Sequence, residues 1–152
     1  MNTQKIPDAS SPYTLFTQWF GMAKKAEPNN PNAMCLSTVN KNGEPSSRMV
    51  LLKGYDSKGF VFYTNYESQK GQEILSTGKA ALCFYWKTLQ KQIRVSGIVT
   101  SVSPEEADAY FSTRPRGSKI GAWASKQSSI LKGGRTELEE SIKKYEEKFG
   151  SE

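Results

Sequence analysis

Two strand-like runs joined by Asn42-Gly43 constrain the fold of this 152-residue chain more than any other feature. Residues 33–39 and 46–54 are both rich in the apolar and β-branched side chains that favour extended structure. Asn-Gly is typical of the type I′ turn, because both central residues of that turn need a positive φ. The sequence therefore predicts an antiparallel hairpin over residues 33–54.

Three further runs of the same character, and several helix signals, complete the predicted fold. We expect a mainly β protein with peripheral helices, in which hairpins join five strands into an antiparallel sheet curled into a small barrel. Residues 1–152 would form one domain, with residues 1–10 as a flexible arm. The further strands are predicted at residues 60–64, 80–86 and 92–102, and the helices at residues 12–26, 68–77, 104–112, 118–124 and 137–149.

Residues that commonly begin or end helices support these helix predictions. Ser11 and Ser103 each precede a proline, which gives a capping hydroxyl followed by a residue suited to the first helical position. Gly78 is suited to end the helix at 68–77. We expect that helix to turn Ile74 and Leu75 inward.

Composition favours a cytoplasmic protein with no membrane partner and no metal. The chain is 36% hydrophobic and 24% charged, and no apolar run approaches the roughly 20 residues of a membrane span. Its first residues lack the apolar core of a signal peptide. Cys35 and Cys83 lie in apolar runs, form no C-x-x-C motif and have no histidine to complete a zinc set. We therefore expect two buried thiols.

Charge and the absence of histidine indicate a bound anion and a bound cofactor. The net charge is +6, although residues 135–152 are acidic in balance, so the basic excess lies in the rest of the chain. A basic excess favours a phosphate cofactor or nucleic acid, and a solvated basic surface is the alternative. With no histidine and two cysteines, the chain offers no common catalytic side chain, and a cofactor would supply difficult chemistry.

The run Arg48-Met-Val-Leu-Leu-Lys53 places two cations near the end of one strand. Side chains alternate across a strand, so Arg48 and Lys53 are expected on opposite faces, where they could bind two different anions. Taken alone, either residue could simply be exposed to solvent.

Residues 63–71 lead from a strand into a helix start. Free amides and the helix dipole favour an anion at such a place. Ser68 could cap the helix or donate to a phosphate oxygen, Lys70 adds a charge, and Gly71 permits close approach of the backbone. The pattern indicates an anion site with moderate specificity.

Three other groups of polar residues are weaker candidates. Gln92 could bind the polar edge of a heterocycle, or be satisfied across the sheet. Tyr110, Arg114 and Ser118 could bind a second phosphate, or belong to an ordinary capped helix. The pair Gln127-Ser128 lies in an irregular stretch and could contact a ligand or cap backbone groups.

The ordered motifs of this chain closely resemble those of the pyridoxine (pyridoxamine) 5′-phosphate oxidase family. The resemblance covers roughly residues 12–149. It is carried by residues 31–34, 45–54, 59–68, 107–111 and 114–128, including Arg114-Pro-Arg-Gly-Ser-Lys-Ile-Gly-Ala-Trp-Ala-Ser-Lys-Gln-Ser128. It implies a split β-barrel that forms a homodimer and binds FMN at the subunit interface.

The resemblance also implies roles for individual residues. Arg48 would pair with the FMN phosphate, whereas family members usually have arginine at the position of Gln69. The positions that match the substrate-phosphate site are Lys53, Tyr110, Arg114 and Ser118. The positions assigned to FMN are Arg48, Met49, Val50, Leu51, Leu52, Tyr63, Thr64, Ser68, Gln69, Lys70, Gln92, Gln127 and Ser128.

The implied activity is the oxidation of pyridoxamine or pyridoxine 5′-phosphate to pyridoxal 5′-phosphate, a step of vitamin B6 metabolism, with O2 as acceptor. Family members continue past the position of Glu152, and that further part carries a flavin-contacting tryptophan and an Arg-x-His pair. A second hypothesis is therefore a non-catalytic protein that binds FMN or pyridoxal 5′-phosphate. A nucleic-acid-binding barrel is a distant third hypothesis, and the order of family motifs argues against nucleic acid as a partner.

Overall fold

The computed structural model describes residues 6–8 and 11–150, and it contains antiparallel sheets with several helices. The strands are β1 (Ala33–Val39), β2 (Pro45–Leu51), β3 (Gly54–Asp56), β4 (Gly59–Val61), β5 (Lys79–Trp86) and β6 (Lys91–Ile98). The helices are α1 (Pro12–Ala26), α2 (Gln69–Thr77), α3 (Pro104–Thr113), α4 (Arg116–Ala124) and α5 (Gly134–Phe149).

Four strands form one sheet in the order β2-β1-β5-β6, and β3 pairs with β4 in a second sheet. Strands β1 and β5 are antiparallel, with Leu36 opposite Leu82 and Cys35 opposite Cys83. The predicted antiparallel architecture is therefore confirmed, with six strands in the described residues where five were expected.

The chain divides into two compact units, which are described separately below. The first contains the chain up to Thr38 with Pro45–Tyr63 and Ala80–Gly97, and the second contains Val39–Glu44, Thr64–Lys79 and the chain from Ile98 onward. The single domain stays a prediction. Most of the predicted arm at residues 1–10 lies outside the described residues.

An aromatic cluster centred on Phe16 forms the core of the first unit. Its ring is 2% exposed and lies 4.7 Å from the Tyr55 ring and 4.8 Å from the Phe60 ring, centroid to centroid, both in edge-on geometry. Trp86 Nε1 donates to the Pro31 carbonyl oxygen at 2.7 Å, which satisfies the polar atom of a buried side chain. Aromatic burial therefore holds α1 against the sheets.

Helices α4 and α5 pack together in the second unit. Ile120 and Ala124 of α4 are buried, and Ser141 Oγ of α5 donates to the Ala124 carbonyl oxygen at 3.1 Å. Trp123 of α4 lies 6.3 Å from Tyr145 and 6.2 Å from Phe149, centroid to centroid.

The predicted capping residues are confirmed, whereas the helices predicted to start at residues 118 and 137 begin earlier, at Arg116 and Gly134. Ser11 Oγ accepts from Thr14 N at 3.2 Å, and Ser103 Oγ accepts from Glu106 N at 3.2 Å. Gly78 ends α2 in the left-handed region with φ 65°. At the start of α3, the pKa of Glu105 lies below its ordinary value because its own backbone amide, and then Ser103, hydrogen-bond its carboxylate.

None of the helices in the described part of the chain combines the length and the apolar character that a membrane span requires.

The turn type predicted at Asn42-Gly43 is wrong. Gly43 has φ 83°, but Asn42 is not among the described residues with positive φ, so the turn is not type I′. Instead Asn40 Oδ1 accepts from Asn42 N at 2.9 Å and from Glu44 N at 3.0 Å. An asparagine before the turn therefore organises a longer loop.

Three predicted strands end earlier than expected, because other hydrogen bonds take over the backbone. The second strand ends at Leu51 rather than residue 54, and Leu52 N donates to the Asn32 carbonyl oxygen at 2.8 Å. The strand predicted to reach residue 64 ends at Val61. The strand predicted to reach residue 102 ends at Ile98, after which Val99 N donates to the Gly78 carbonyl oxygen at 2.9 Å.

Two burial predictions are wrong. Leu75 of α2 is 59% exposed, and the helix instead buries Lys70, Gly71 and Glu73. The cysteine thiols were expected to be buried, but both residues are only half-buried.

Candidate functional site

The start of α2 is a buried, hydrogen-bonded turn. Ser68 has no exposed surface, and its Oγ donates to the Asn65 carbonyl oxygen at 2.6 Å and accepts from Gly71 N at 3.3 Å. The hydroxyl therefore both caps the helix and fixes the loop before it.

Lys70 brings a positive charge into this turn. The residue is 9% exposed, and its Nζ donates to Ser68 Oγ at 3.1 Å and to Gln127 Oε1 at 2.8 Å. The structure thus brings Ser68 and Lys70 together with Gln127, which was predicted in a separate group of polar residues. A cation held in low dielectric beside a helix N-terminus makes this turn suited to an anion.

Gly71 is required by the chain's own backbone. A Cβ atom at this position would lie 2.5 Å from the Asn65 carbonyl oxygen and 2.6 Å from that of Tyr66. The close approach predicted for Gly71 is therefore confirmed, and the backbone that approaches is that of the preceding loop.

Two features near this turn have no role within the described structure. Thr64 Oγ1 is buried and has no hydrogen-bond partner among the described residues. Ser128 adopts φ 64°, a left-handed conformation that costs a non-glycine residue roughly 1 kcal/mol. Unsatisfied buried hydroxyls and strained backbone are both rare, and both are enriched at ligand sites.

Gln69 directs its amide to a carboxylate of its own helix. Its Nε2 donates to Glu73 Oε1 at 2.9 Å, and Glu73 is 5% exposed. Glu73 was not predicted as a site residue, although its position four residues after Gln69 is the spacing at which helical side chains meet.

Arg48 spans two strands of the first unit. Its Nη1 donates to Thr38 Oγ1 and, at 3.3 Å, to the Leu36 carbonyl oxygen, and its Nη2 donates to Ser46 Oγ. The guanidinium therefore connects β2 to β1, a structural role that the sequence analysis did not assign to it.

Burial alternates along the run that contains Arg48. Arg48 is half-buried and Leu52 is 4% exposed, whereas Met49, Leu51 and Lys53 are exposed. Exposure thus alternates from Arg48 to Lys53 as expected, but β2 ends at Leu51, so the placement of Arg48 and Lys53 on opposite faces stays a prediction. Val50 and Tyr63 are half-buried.

Gln92 and Arg94 share the exposed face of β6. They line a cavity of about 550 Å³ with residues of β1 and β5. The other lining residues are Ser37, Ala81, Leu82, Cys83, Val95 and Ser96.

The three residues proposed for a second phosphate lie where α3 ends and α4 begins. Tyr110 is in α3 and Arg114 is its C-cap, with the guanidinium carbon 5.6 Å from the Phe111 ring centroid. Ser118 is in the first turn of α4, where its N donates to the Pro115 carbonyl oxygen at 2.9 Å.

Comparison with known proteins identifies the family. The pyridoxamine 5′-phosphate oxidase family matches residues 22–149, which is most of the chain. The chain belongs to this family. A pyridoxine/pyridoxamine 5′-phosphate oxidase of Chelativorans is 57% identical over 142 residues, which cover 93% of this chain and 68% of the relative. The corresponding enzyme of Brucella anthropi is 58% identical and is 70% covered.

Two solved structures share the fold. PhzG from Burkholderia lata, in complex with tetrahydrophenazine-1-carboxylic acid, aligns with a TM-score of 0.88 and 29% identity, over 95% of this chain and 71% of PhzG. A pyridoxamine 5′-phosphate oxidase-related, FMN-binding protein from Nostoc punctiforme has a TM-score of 0.67 and 16% identity, over 87% and 73% of the two chains. The fold is that of the FMN-binding split-barrel proteins of this family.

Proposed function

We propose that the protein binds FMN and oxidises pyridoxamine or pyridoxine 5′-phosphate to pyridoxal 5′-phosphate, with O2 as the electron acceptor. The observation that carries this proposal is the buried turn of Ser68 and Lys70 with Gln127. Two curated relatives named for this activity, each at least 57% identical, support the choice of reaction.

The residues of this turn fit a phosphate-bearing flavin. A phosphate oxygen needs hydrogen-bond donors and positive charge, and the turn offers the Lys70 ammonium and the amides of a helix start. The Thr64 hydroxyl is buried and finds no partner within residues 6–8 and 11–150, so a ligand oxygen would satisfy it. In the second unit we therefore assign FMN to Thr64, Ser68, Lys70, Gln127 and Ser128, with Gln69 beside them.

Other residues are assigned by family resemblance. In the first unit the FMN ligands would be Arg48, Met49, Val50, Leu51, Leu52, Tyr63 and Gln92. The substrate phosphate would be held by Lys53, Tyr110, Arg114 and Ser118. When bound, FMN supplies the redox chemistry, and the side chains bind and orient the reactants through phosphates remote from the reacting atoms.

We also propose that the protein is a cytoplasmic homodimer.

A non-catalytic FMN or pyridoxal 5′-phosphate binder is the second candidate. The observation that favours it is that the contacts of Lys70 with Ser68 and Gln127 are those of a binding site and do not require turnover. The two candidates share the flavin site and differ only in turnover.

An oxidase assay separates the candidates. The purified protein is loaded with FMN, and formation of pyridoxal 5′-phosphate and hydrogen peroxide is followed with pyridoxamine 5′-phosphate as substrate. We expect equal amounts of both products, and pyridoxamine without phosphate should react poorly. Flavin binding without either product would support the non-catalytic binder.

Arg114→Ala tests the substrate side of the assignment. Removing this charge should raise KM for pyridoxamine 5′-phosphate about 10-fold or more, because a charge-assisted contact to phosphate is lost. The flavin content should stay unchanged. Loss of flavin with an unchanged KM would show that Arg114 belongs to the cofactor site instead.

A further inference from the structure

The two cysteines of the chain face each other across neighbouring strands. Cys35 of β1 is the register partner of Cys83 of β5, and the two residues are 48 positions apart in the sequence. Directly opposed residues of an antiparallel pair place their side chains on the same face of the sheet. The chain thus carries a paired dithiol rather than two isolated thiols.

This pair lies on the more accessible face of the sheet. Along β1 and β5, Cys35 and Cys83 are half-buried, whereas their neighbours Leu36 and Phe84 are buried on the other face. Cys83 also lines the cavity that contains Gln92 and Arg94. The contact from Cys83 Sγ to the Phe84 carbonyl oxygen is long, at 3.8 Å, so it restrains the thiol weakly. Small solutes can therefore reach this sulfur.

The backbone separation suits a covalent bond between the two sulfurs. Opposed residues of antiparallel strands have Cα atoms about 4.5–5.5 Å apart. Disulfides bridge Cα atoms that are roughly 4.4–6.8 Å apart. The strand register therefore places the two residues within the backbone separation that a disulfide bridges.

We propose that Cys35 and Cys83 form a redox-active dithiol that a hydroperoxide converts into an intramolecular disulfide. One thiolate attacks the O–O bond, which gives a sulfenic acid and releases the alcohol, or water when the oxidant is hydrogen peroxide. The second thiol then attacks that sulfur, forms the S–S bond and releases water. The two sulfurs together lose two electrons, and the peroxide gains them.

Sheet pairing is what makes this reaction intramolecular. It holds the sulfurs at a high effective concentration, whereas in the unfolded chain the same bond would close a loop of 48 positions. A metal site is the less favoured alternative, because no group of three metal-ligating side chains occurs among the described residues. The inference is independent of the proposed oxidase activity.

The test treats the full-length protein with hydrogen peroxide and counts reactive thiols. We expect two reactive thiols per chain to fall to none, with peptide mapping that shows a Cys35–Cys83 link within one chain and full recovery with a reductant. Cys35→Ser and Cys83→Ser each leave one thiol, which should be trapped as a sulfenic acid by dimedone. Because the protein has only two cysteines, the assignment is unambiguous.

A denatured sample supplies the control for the fold. In folded protein the Cys35–Cys83 disulfide should withstand at least about a 10-fold higher concentration of reduced glutathione than in denaturant, because sheet pairing raises the effective concentration of the thiols. Equal resistance to reduction, thiols that resist peroxide, or oxidation only to links between chains would each overturn the proposal.

Discussion

Individual residues at the start of α2 carry most of the argument for a bound flavin. Ser68 and Lys70 could be identified from the sequence because a capping residue, a cation and a glycine follow one another after a strand. Their contact with Gln127 could not, because a sequence does not show which distant loop returns to the helix start. The burial of Glu73 was not predicted either, because a charged residue on a helix normally indicates an exposed face.

Thr64→Val tests whether the buried hydroxyl serves a ligand. Valine has nearly the same shape and removes an oxygen without a partner in the described structure. We expect the flavin-free protein to be unchanged or more stable by up to about 1 kcal/mol, and FMN affinity to fall about 5-fold or more. Urea unfolding and flavin titration measure the two effects. An FMN affinity that stays unchanged in Thr64→Val would mean that the hydroxyl has no ligand role.

Gly71→Ala tests the tight turn itself. The added methyl would overlap backbone oxygens of Asn65 and Tyr66, so we expect a loss of about 1–3 kcal/mol in unfolding free energy. Gly21→Ala is the matched control, because Gly21 is also helical and a Cβ there meets nothing within 4 Å. That change should stabilise the protein by up to about 1 kcal/mol. Similar effects of both changes in urea unfolding would contradict the contact geometry.

At the scale of elements, the helix starts capped by serine were the most predictable feature. Ser11, Ser68 and Ser103 all cap helices as expected, because the capping interaction is local in sequence. Strand ends were less predictable, because they depend on which distant backbone group accepts or donates next. Leu52 and Val99 illustrate this, since each donates to a residue about 20 positions away.

The caps of α2 and α3 should differ in strength. Ser103 is exposed and its Oγ accepts from the Glu106 amide, whereas Ser68 is fully buried and also contacts Asn65 and Lys70. We expect Ser103→Ala to cost about 1 kcal/mol, and Ser68→Ala to cost about 2 kcal/mol or more. Chemical unfolding of both variants measures the difference. A smaller loss for Ser68→Ala would mean that the buried network contributes little to stability.

The exposed side chain of Leu75 gives a test of the orientation of α2. Apolar spacing predicted that Leu75 points inward, but polar contacts of the buried Lys70 and Glu73 set the inner face instead. We expect Leu75→Ala to change the unfolding free energy by less than about 0.5 kcal/mol. Leu36→Ala, at a fully buried leucine, should cost about 2–5 kcal/mol. Comparable losses of unfolding free energy in the two variants would indicate that Leu75 points inward, as the sequence predicted.

For the whole molecule, the sequence could predict the class of fold because alternating apolar runs, turn residues and caps all indicate antiparallel sheets with helices. It could not show the division into two compact units, which arises from contacts between segments distant in sequence. The family match over residues 22–149 agrees with this class of fold.

The central claim is that the second unit holds the phosphate of FMN through Lys70 at the start of α2. Titration of the flavin-free protein with FMN and with riboflavin, which lacks the phosphate, tests it directly. We expect FMN to bind at least about 100-fold more tightly than riboflavin, and Lys70→Gln to reduce that advantage about 10-fold or more while riboflavin affinity stays the same. Equal affinities for the two flavins, or an FMN advantage that survives in Lys70→Gln, would contradict the claim.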